Sequence, residues 1–222
     1  MIEIKNLTVK YDDKRVLNDF SNVFENKEVT VILGKSGVGK TSLLNAISNL
    51  VEYSGKISGA NSVSYIFQED RLIERRSAYE NVLLTGEYSY QDVEKAFLSV
   101  DLLDKINAFP KMMSGGEKNR VNVIRALMKQ ADVLLADEPF SALDISLRIK
   151  VANLIKDYSK SNGVPAVIVT HDLYETFLIA DAIIVFTEKG YYKFKLNRDL
   201  NGNLSKDDEL NILNEVTKLL TV

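Results

Sequence analysis

The stretch Gly34-Lys35-Ser36-Gly37-Val38-Gly39-Lys40-Thr41 has the Gly-x4-Gly-Lys-Thr spacing of a phosphate-binding loop. Its glycines let several backbone N–H groups curl inward around phosphate oxygens. Lys40 adds a point charge for the outer phosphates, and the Thr41 hydroxyl can ligate magnesium. A second constellation, Val133-Leu134-Leu135-Ala136-Asp137-Glu138, ends an apolar run in adjacent carboxylates, with Pro139 next. One carboxylate can hold magnesium directly or through water. The other is then free to orient or deprotonate an attacking water. Between the two lies Met113-Ser114-Gly115-Gly116-Glu117, small and glycine-rich, just ahead of a helical pattern.

These groups need elements that aim them at one place. Residues 28–33 read as a buried strand running into the loop, and residues 42–48, opened by Ser42, as the helix leaving it. The N-terminal dipole of such a helix favours anions. The unbroken apolar run at 133–136 suits a parallel strand buried on both faces, and Pro139 prevents the ladder from continuing. Active sites of open parallel sheets lie beyond the carboxyl ends of the strands. Successive strand residues point opposite ways, so Asp137 and Glu138 need not share one job. His171, the only histidine, follows another apolar run, Ala166-Val167-Ile168-Val169, and belongs at the same end of the sheet.

Residues 117–128 carry apolar side chains at helical spacing (Val121, Ile124, Leu127, Met128). Ser114 is an N-cap candidate for that helix, with Glu117 in capping-box position. Capping explains the serine and the glutamate. It does not explain two glycines in a first turn, which are costly for a helix. They make sense where a ligand or another backbone comes close. The phosphate loop already wraps one nucleotide, so a second anion site suggests a neighbour's phosphate.

At this point the chain resembles the ATP-binding cassette (ABC) ATPases over nearly all of its length. The order matches: the phosphate loop, Gln68 in Phe67-Gln68-Glu69-Asp70, the Ser114-Gly115-Gly116-Glu117 signature and the acidic pair. Ser141-Ala142-Leu143-Asp144 and His171 in Val169-Thr170-His171-Asp172 follow. Tyr11 matches the aromatic that stacks on adenine in such proteins. Met113, Glu117 and Asn119 depart from the commoner leucine and glutamines but keep their size or capping chemistry. The resemblance implies an α/β fold: a mainly parallel core, an N-terminal antiparallel β part and a helical subdomain. It implies ATP and magnesium as ligands and a head-to-tail pair of cassettes. Each ATP would lie between one loop (residues 34–42) and the other subunit's signature. Glu138 would polarise the attacking water, Thr41, Asp137 and Gln68 would serve magnesium, and Gln68 would also act in catalysis. His171 would contact the terminal phosphate, and Asp144 would help the paired sites communicate.

Composition sets the boundaries. At 222 residues the chain can hold one α/β domain with a small insertion. By the same resemblance residues 1–68 and 114–222 form the core and 69–113 the helical subdomain, whose groove near Gln68 receives a transmembrane partner. Within that insertion the clearest amphipathic piece is 90–103. The tail should hold a hairpin at Glu188-Lys189-Gly190, a polar loop at Asn201-Gly202-Asn203 and a helix from about Lys206. Leu210, Leu213, Val216 and Leu220 would form that helix's apolar face. A net charge of −3 gives no electrostatic reason to bind nucleic acid. The absence of cysteine is compatible with the cytosol. Met1-Ile2-Glu3-Ile4-Lys5 alternates like a strand and lacks a signal peptide's apolar core. The longest apolar runs are too short to span a bilayer, so a membrane role would be peripheral; the resemblance implies the cytoplasmic face.

Residues 67–72 and 137–144 look most like importers of nitrate, sulfonates, taurine or thiamine-precursor pyrimidines. Such an importer pairs the cassette with a second cassette (most simply its own copy), permease subunits and a solute-binding protein. Lipoprotein-release or cell-division cassettes and soluble ABC-type ATPases are the alternatives. A phosphate-loop small-molecule kinase would leave the signature and His171 without jobs.

Overall fold

A computed structural model describes residues 1–12, 14–197 and 204–221. Two sheets make the frame. The first is antiparallel, in the order β2-β1-β4, from β1 (Ile2–Tyr11), β2 (Lys14–Phe24) and β4 (Tyr53–Ser58). The second runs β5-β6-β7-β3-β8-β9, from β3 (Val29–Gly34), β5 (Val63–Ile66), β6 (Val133–Asp137), β7 (Ala166–Val169), β8 (Ala182–Thr187) and β9 (Gly190–Lys195). All its neighbours are parallel except the terminal β8–β9 hairpin.

The core strands divide their side chains between two apolar layers, as a period of two requires. Val31, Leu33, Leu134, Ala136, Ile168, Ile183 and Val185 face the layer under the larger helices. Ile32, Leu135, Val167 and Ile184 face the other, shared with the antiparallel sheet and α1 (Lys40–Ile47). Both faces are therefore covered, which is why these strands read as continuous apolar runs. The sheet order puts β6, β7 and β3 side by side, so Asp137, Glu138, His171 and the phosphate loop emerge at one edge.

Residues 69–113 hold α2 (Ala78–Leu83), α3 (Tyr90–Ser99) and two short 3-10 turns. They pack on α4 (Gly115–Met128) through a common buried cluster that includes Val82, Phe97 and Ile124. The amphipathic stretch read at 90–103 stops as an α-helix at Ser99. Asp101 adopts φ +52°, the Leu102 N–H bonds the Phe97 carbonyl at 3.0 Å and the Asp101 N–H bonds Leu98 at 3.2 Å. That is a Schellman stop, with buried Phe97 and Leu102 at the matching positions. Past it come α5 (Ile145–Asn162), α6 (Leu173–Ile179) and α7 (Lys206–Thr221). On α7 Val216 is buried, with Ile212, Leu219 and Leu220 packed beside it, whereas Leu210 is exposed. Leu210 lies six residues before Val216, about 120° off its face at 100° per residue. The polar loop at 201–203 lies outside the described residues.

Candidate active site

The loop's shape follows from its glycines. Gly39 caps α1 at φ +103°, and a Cβ there would lie 2.3 Å from the Val16 carbonyl oxygen. Gly37 has φ +80° with open space around it, a backbone setting that side chains disfavour. Lys40 folds over the loop, its Nζ donating to the carbonyls of Gly34 at 2.7 Å and Lys35 at 3.0 Å. Burial lowers the pKa of this ammonium, against the pull of Glu138 and then Asp137.

The next residue joins the loop to β6. Thr41 Oγ1 donates to Asp137 Oδ2 at 2.7 Å. Asp137 is buried, and burial raises its carboxyl above the usual range, opposed by the Thr41 hydrogen bond. A buried carboxylate beside a hydroxyl is the hard-oxygen donor set that magnesium takes. Among the described residues no group of three or more His, Cys, Asp or Glu is arranged to hold a metal by itself. An ion at Thr41 and Asp137 would complete its shell with phosphate oxygens and water, as magnesium usually does.

Glu138 points the other way. It leaves the strand at φ +49°, with its N–H bonded to the Val169 carbonyl at 2.9 Å. Its Oε1 accepts from His171 Nδ1 at 2.8 Å. That hydrogen bond, followed by the Glu138 charge, holds the His171 pKa above its ordinary value. The imidazole itself is 80% exposed, so its far nitrogen is open to a ligand. Ala142, in the segment 141–144, also takes a left-handed φ, +60°. Left-handed backbone at residues with side chains costs of order 1–3 kcal/mol each and clusters at functional sites.

A separate cleft of about 320 Å³ is lined by Gln68, Glu69, Asp70, Gly115, Asn119, Ser141 and Ala142. Gln68 is exposed there, past the end of β5 at Ile66, and makes no hydrogen bond among the described residues. Its segment is gripped from α4: Asn122 Nδ2 donates to the Phe67 carbonyl at 2.9 Å, and Arg125 to the carbonyls of Arg71 at 2.9 Å and Asp70 at 3.2 Å. Ser114 caps α4 in a full capping box with Glu117. A Cβ on Gly116 would meet the Ala142 carbonyl at 2.8 Å, whereas one on Gly115 would meet nothing within 4 Å. Asn119 Nδ2 reaches Ser141 Oγ at 3.3 Å, tying α4 to the 141–144 segment. Asp144 caps α5, accepting from Leu147 N–H at 2.9 Å and Ser146 Oγ at 2.8 Å. Tyr11 stands exposed at the end of β1.

The chain thus brings Lys40, Thr41, Asp137, Glu138 and His171 together, and groups Gln68 with Gly115 and Ala142 elsewhere. A wider groove of about 810 Å³ flanks the loop at Lys35, Ser36, Gly37 and Val38. None of Asp137, Glu138 or His171 lines it, so it carries none of this chemistry.

The ABC transporter family model matches residues 17–141, more than half of the chain. The chain belongs to the ABC transporter family. It is an ATP-hydrolysing cassette with the P-loop α/β fold. An aliphatic sulfonates import ATP-binding protein of Rhizobium johnstonii is 34% identical to it over 84% of the chain and 77% of that protein. One from Rhodococcus jostii is 35% identical over 86% of the chain and 79% of that protein. A solved dimeric ATP-binding cassette, in a post-hydrolysis state bound to ADP and Pi, superposes with a TM-score of 0.78 at 26% identity. That match covers 90% of this chain and 100% of the other.

Sequence reasoning passed over Thr170, Glu175, Arg148, Asn122 and Arg125 as site-building residues. Asn122 carried a signal, an amide between Val121 and Val123 on a helix, and it is fully buried. Glu175 carried none, since its partners come from separate elements.

Proposed function

We propose that this cassette powers solute import from the cytoplasmic face of a membrane. It works as a peripheral subunit paired with a second cassette, most simply its own copy. Its similarity to aliphatic sulfonates import ATP-binding proteins supports import, and aliphatic sulfonates are the substrate class it suggests. No helix among the described residues is long and apolar enough to cross a membrane, so the path for solute belongs to permease subunits, with a solute-binding protein delivering the cargo. Residues 69–113 are the helical subdomain that meets the permease near Gln68.

One observation carries the chemical reading: the loop side of the site is complete while the Gly115 side faces outward. Lys40, Thr41 and Asp137 gather where phosphates would lie, with Glu138 and His171 beside them. ATP would sit on residues 34–42 with adenine on Tyr11, closed by Ser114, Gly115, Gly116 and Glu117 of the second cassette. Thr41 and Asp137 would hold magnesium, which would screen charge on the outer phosphates. Gln68, exposed in the separate cleft, does not reach that pair in this structure and would have to approach it to serve the ion. Glu138 orients the water that attacks the terminal phosphorus and accepts its proton. The bond to the ADP oxygen breaks, giving ADP and phosphate. His171 holds the terminal phosphate, and Asp144 lets the paired sites respond to each other.

Glu138→Gln keeps the shape of the side chain and removes the base. It should bind ATP, accumulate as a stable dimer on size exclusion, and hydrolyse roughly 100- to 10,000-fold more slowly. Native turnover in that variant would sink the assignment of the catalytic carboxylate.

A further inference from the structure

Behind Glu138 lies a buried polar chain that the reaction as described does not use. Thr170 is fully buried and Glu175 nearly so. Thr170 Oγ1 lies 3.3 Å from Glu138 Oε2 and 2.5 Å from Glu175 Oε2, and it accepts the Asp172 N–H at 3.2 Å. The other oxygen of Glu175, Oε1, is 3.1 Å from an Arg148 guanidinium nitrogen. That nitrogen also reaches Asp172 Oδ2 at 3.3 Å. Arg148 Nε in turn donates to the Leu143 carbonyl at 3.0 Å. Polar contacts therefore run without a break from residue 143, through Arg148, Glu175 and Thr170, to Glu138.

Proton counting gives this chain a job. A threonine hydroxyl has one proton to donate, and here two carboxylate oxygens face it. Whichever oxygen takes it, the orientation of the Glu138 carboxylate depends on where Glu175 is held, and Arg148 holds Glu175. Burial raises the Glu175 carboxyl above its usual range, which Thr170 and Arg148 oppose.

We propose that Thr170, Glu175 and Arg148 are positioning residues that fix Glu138 Oε2 and tie it to the segment 141–144. Water activation is thereby linked to the segment 141–144 through Arg148, Glu175 and Thr170. The inference rests on the reading of Glu138 as the catalytic carboxylate.

The test is steady-state ATP hydrolysis by the full-length chain, with nucleotide affinity and thermal stability measured alongside. Thr170→Val removes the hydroxyl at constant shape and should lower kcat roughly 10- to 100-fold, the scale of a misplaced catalytic group. KM for ATP should stay within about twofold, because the phosphate loop is untouched. Thr170→Ser should restore most of the rate. Added to Glu138→Gln, Thr170→Val should slow hydrolysis no further, since Oε2 is already lost as a base. Arg148→Met should also lower kcat, and less than additively with Thr170→Val. If Thr170→Val lowers the melting temperature, Glu175→Gln serves in its place because it keeps the side chain's shape. The proposal is overturned if kcat survives in Thr170→Val, if KM rises in step with the loss, or if the losses of Thr170→Val and Glu138→Gln multiply. Full activity of Glu138→Gln would instead overturn the catalytic reading beneath it.

Discussion

Helices α2 and α4 begin with the same device and put it to different uses. Ser77 and Ser114 each cap their helix, accepting the N–H of Glu80 at 3.2 Å and of Glu117 at 3.3 Å. Each glutamate answers from 2.7 Å, its Oε2 accepting the serine N–H. The two boxes are locally interchangeable. Their middles are not. Ala78 is fully buried, its N–H bonds the Ala108 carbonyl at 2.8 Å, and Tyr79 N–H bonds Ile106 at 2.8 Å. The N–H groups that a first turn leaves over are thus consumed by this chain's own carbonyls. At α4 the corresponding residues are Gly115 and Gly116, whose N–H groups meet no acceptor among the described residues. Gly116 is small because Ala142 crosses it, and Gly115 opens onto space. A serine–glutamate box marks a helix start. The free amides between its ends are what the proposed anion contact at α4 rests on.

The sharpest way to break this contrast is to put the same carboxylate into both boxes. Gly115→Asp should leave the melting temperature unchanged or raise it, since the side chain has room and an acidic group suits a helix N-terminus. Binding of ATP to the monomer should persist. Hydrolysis should fall roughly 100-fold or more, because the donors proposed for a phosphate would face a fixed negative charge. Ala78→Asp should do the reverse. A carboxylate at that buried position costs about 3 kcal/mol of stability, with hydrolysis per folded molecule little changed. Calorimetry and a phosphate-release assay on both variants decide it. A native rate in Gly115→Asp would remove the anion reading of α4.

The same contrast shows what the sequence could and could not tell. The phosphate loop, the acidic pair and the α4 box were legible because each is contiguous and its chemistry is local. The strands were legible because burial on both faces leaves an uninterrupted apolar run. The α2 box, Ser77-Ala78-Tyr79-Glu80, obeys the same local rule and passed unremarked, because only its surroundings distinguish a cap from a site. The end of α3 was misplaced because Asp101 stops it in a left-handed conformation that glycine more often takes. Thr170 and Glu175 meet Glu138 and Arg148 from the ends of β6 and β7 and from α5 and α6, which no spacing along the chain encodes.

A milder cut separates capping from ligand contact. Ser77→Ala and Ser114→Ala each remove one side-chain acceptor from a first turn, at a cost of about 1 kcal/mol. Thermal unfolding should register both losses at similar size. Only Ser114→Ala should also slow hydrolysis, by several-fold beyond what the unfolded fraction explains. Equal activity in the two variants would reduce Ser114 to a cap.

The smallest effect tests whether the two glutamates are as alike as their geometry. In both, the backbone N–H of the capping serine is the main cause that holds the carboxyl below its usual range. A depressed folded-state pKa contributes stability that is present above the unfolded pKa, about 4.3 for glutamate. That contribution is lost as pH falls through the folded value. Melting temperatures followed downward from pH 6 should therefore show a slightly shallower acid loss in Glu80→Gln and in Glu117→Gln, to the same small extent. Glutamine still accepts the serine N–H, as the capping box allows. Glu117→Gln should accordingly hydrolyse ATP within about twofold of the native rate at neutral pH. If it does not, the Glu117 charge is acting on the phosphate or its counter-ion. The equivalence of the two boxes would then end at their backbone.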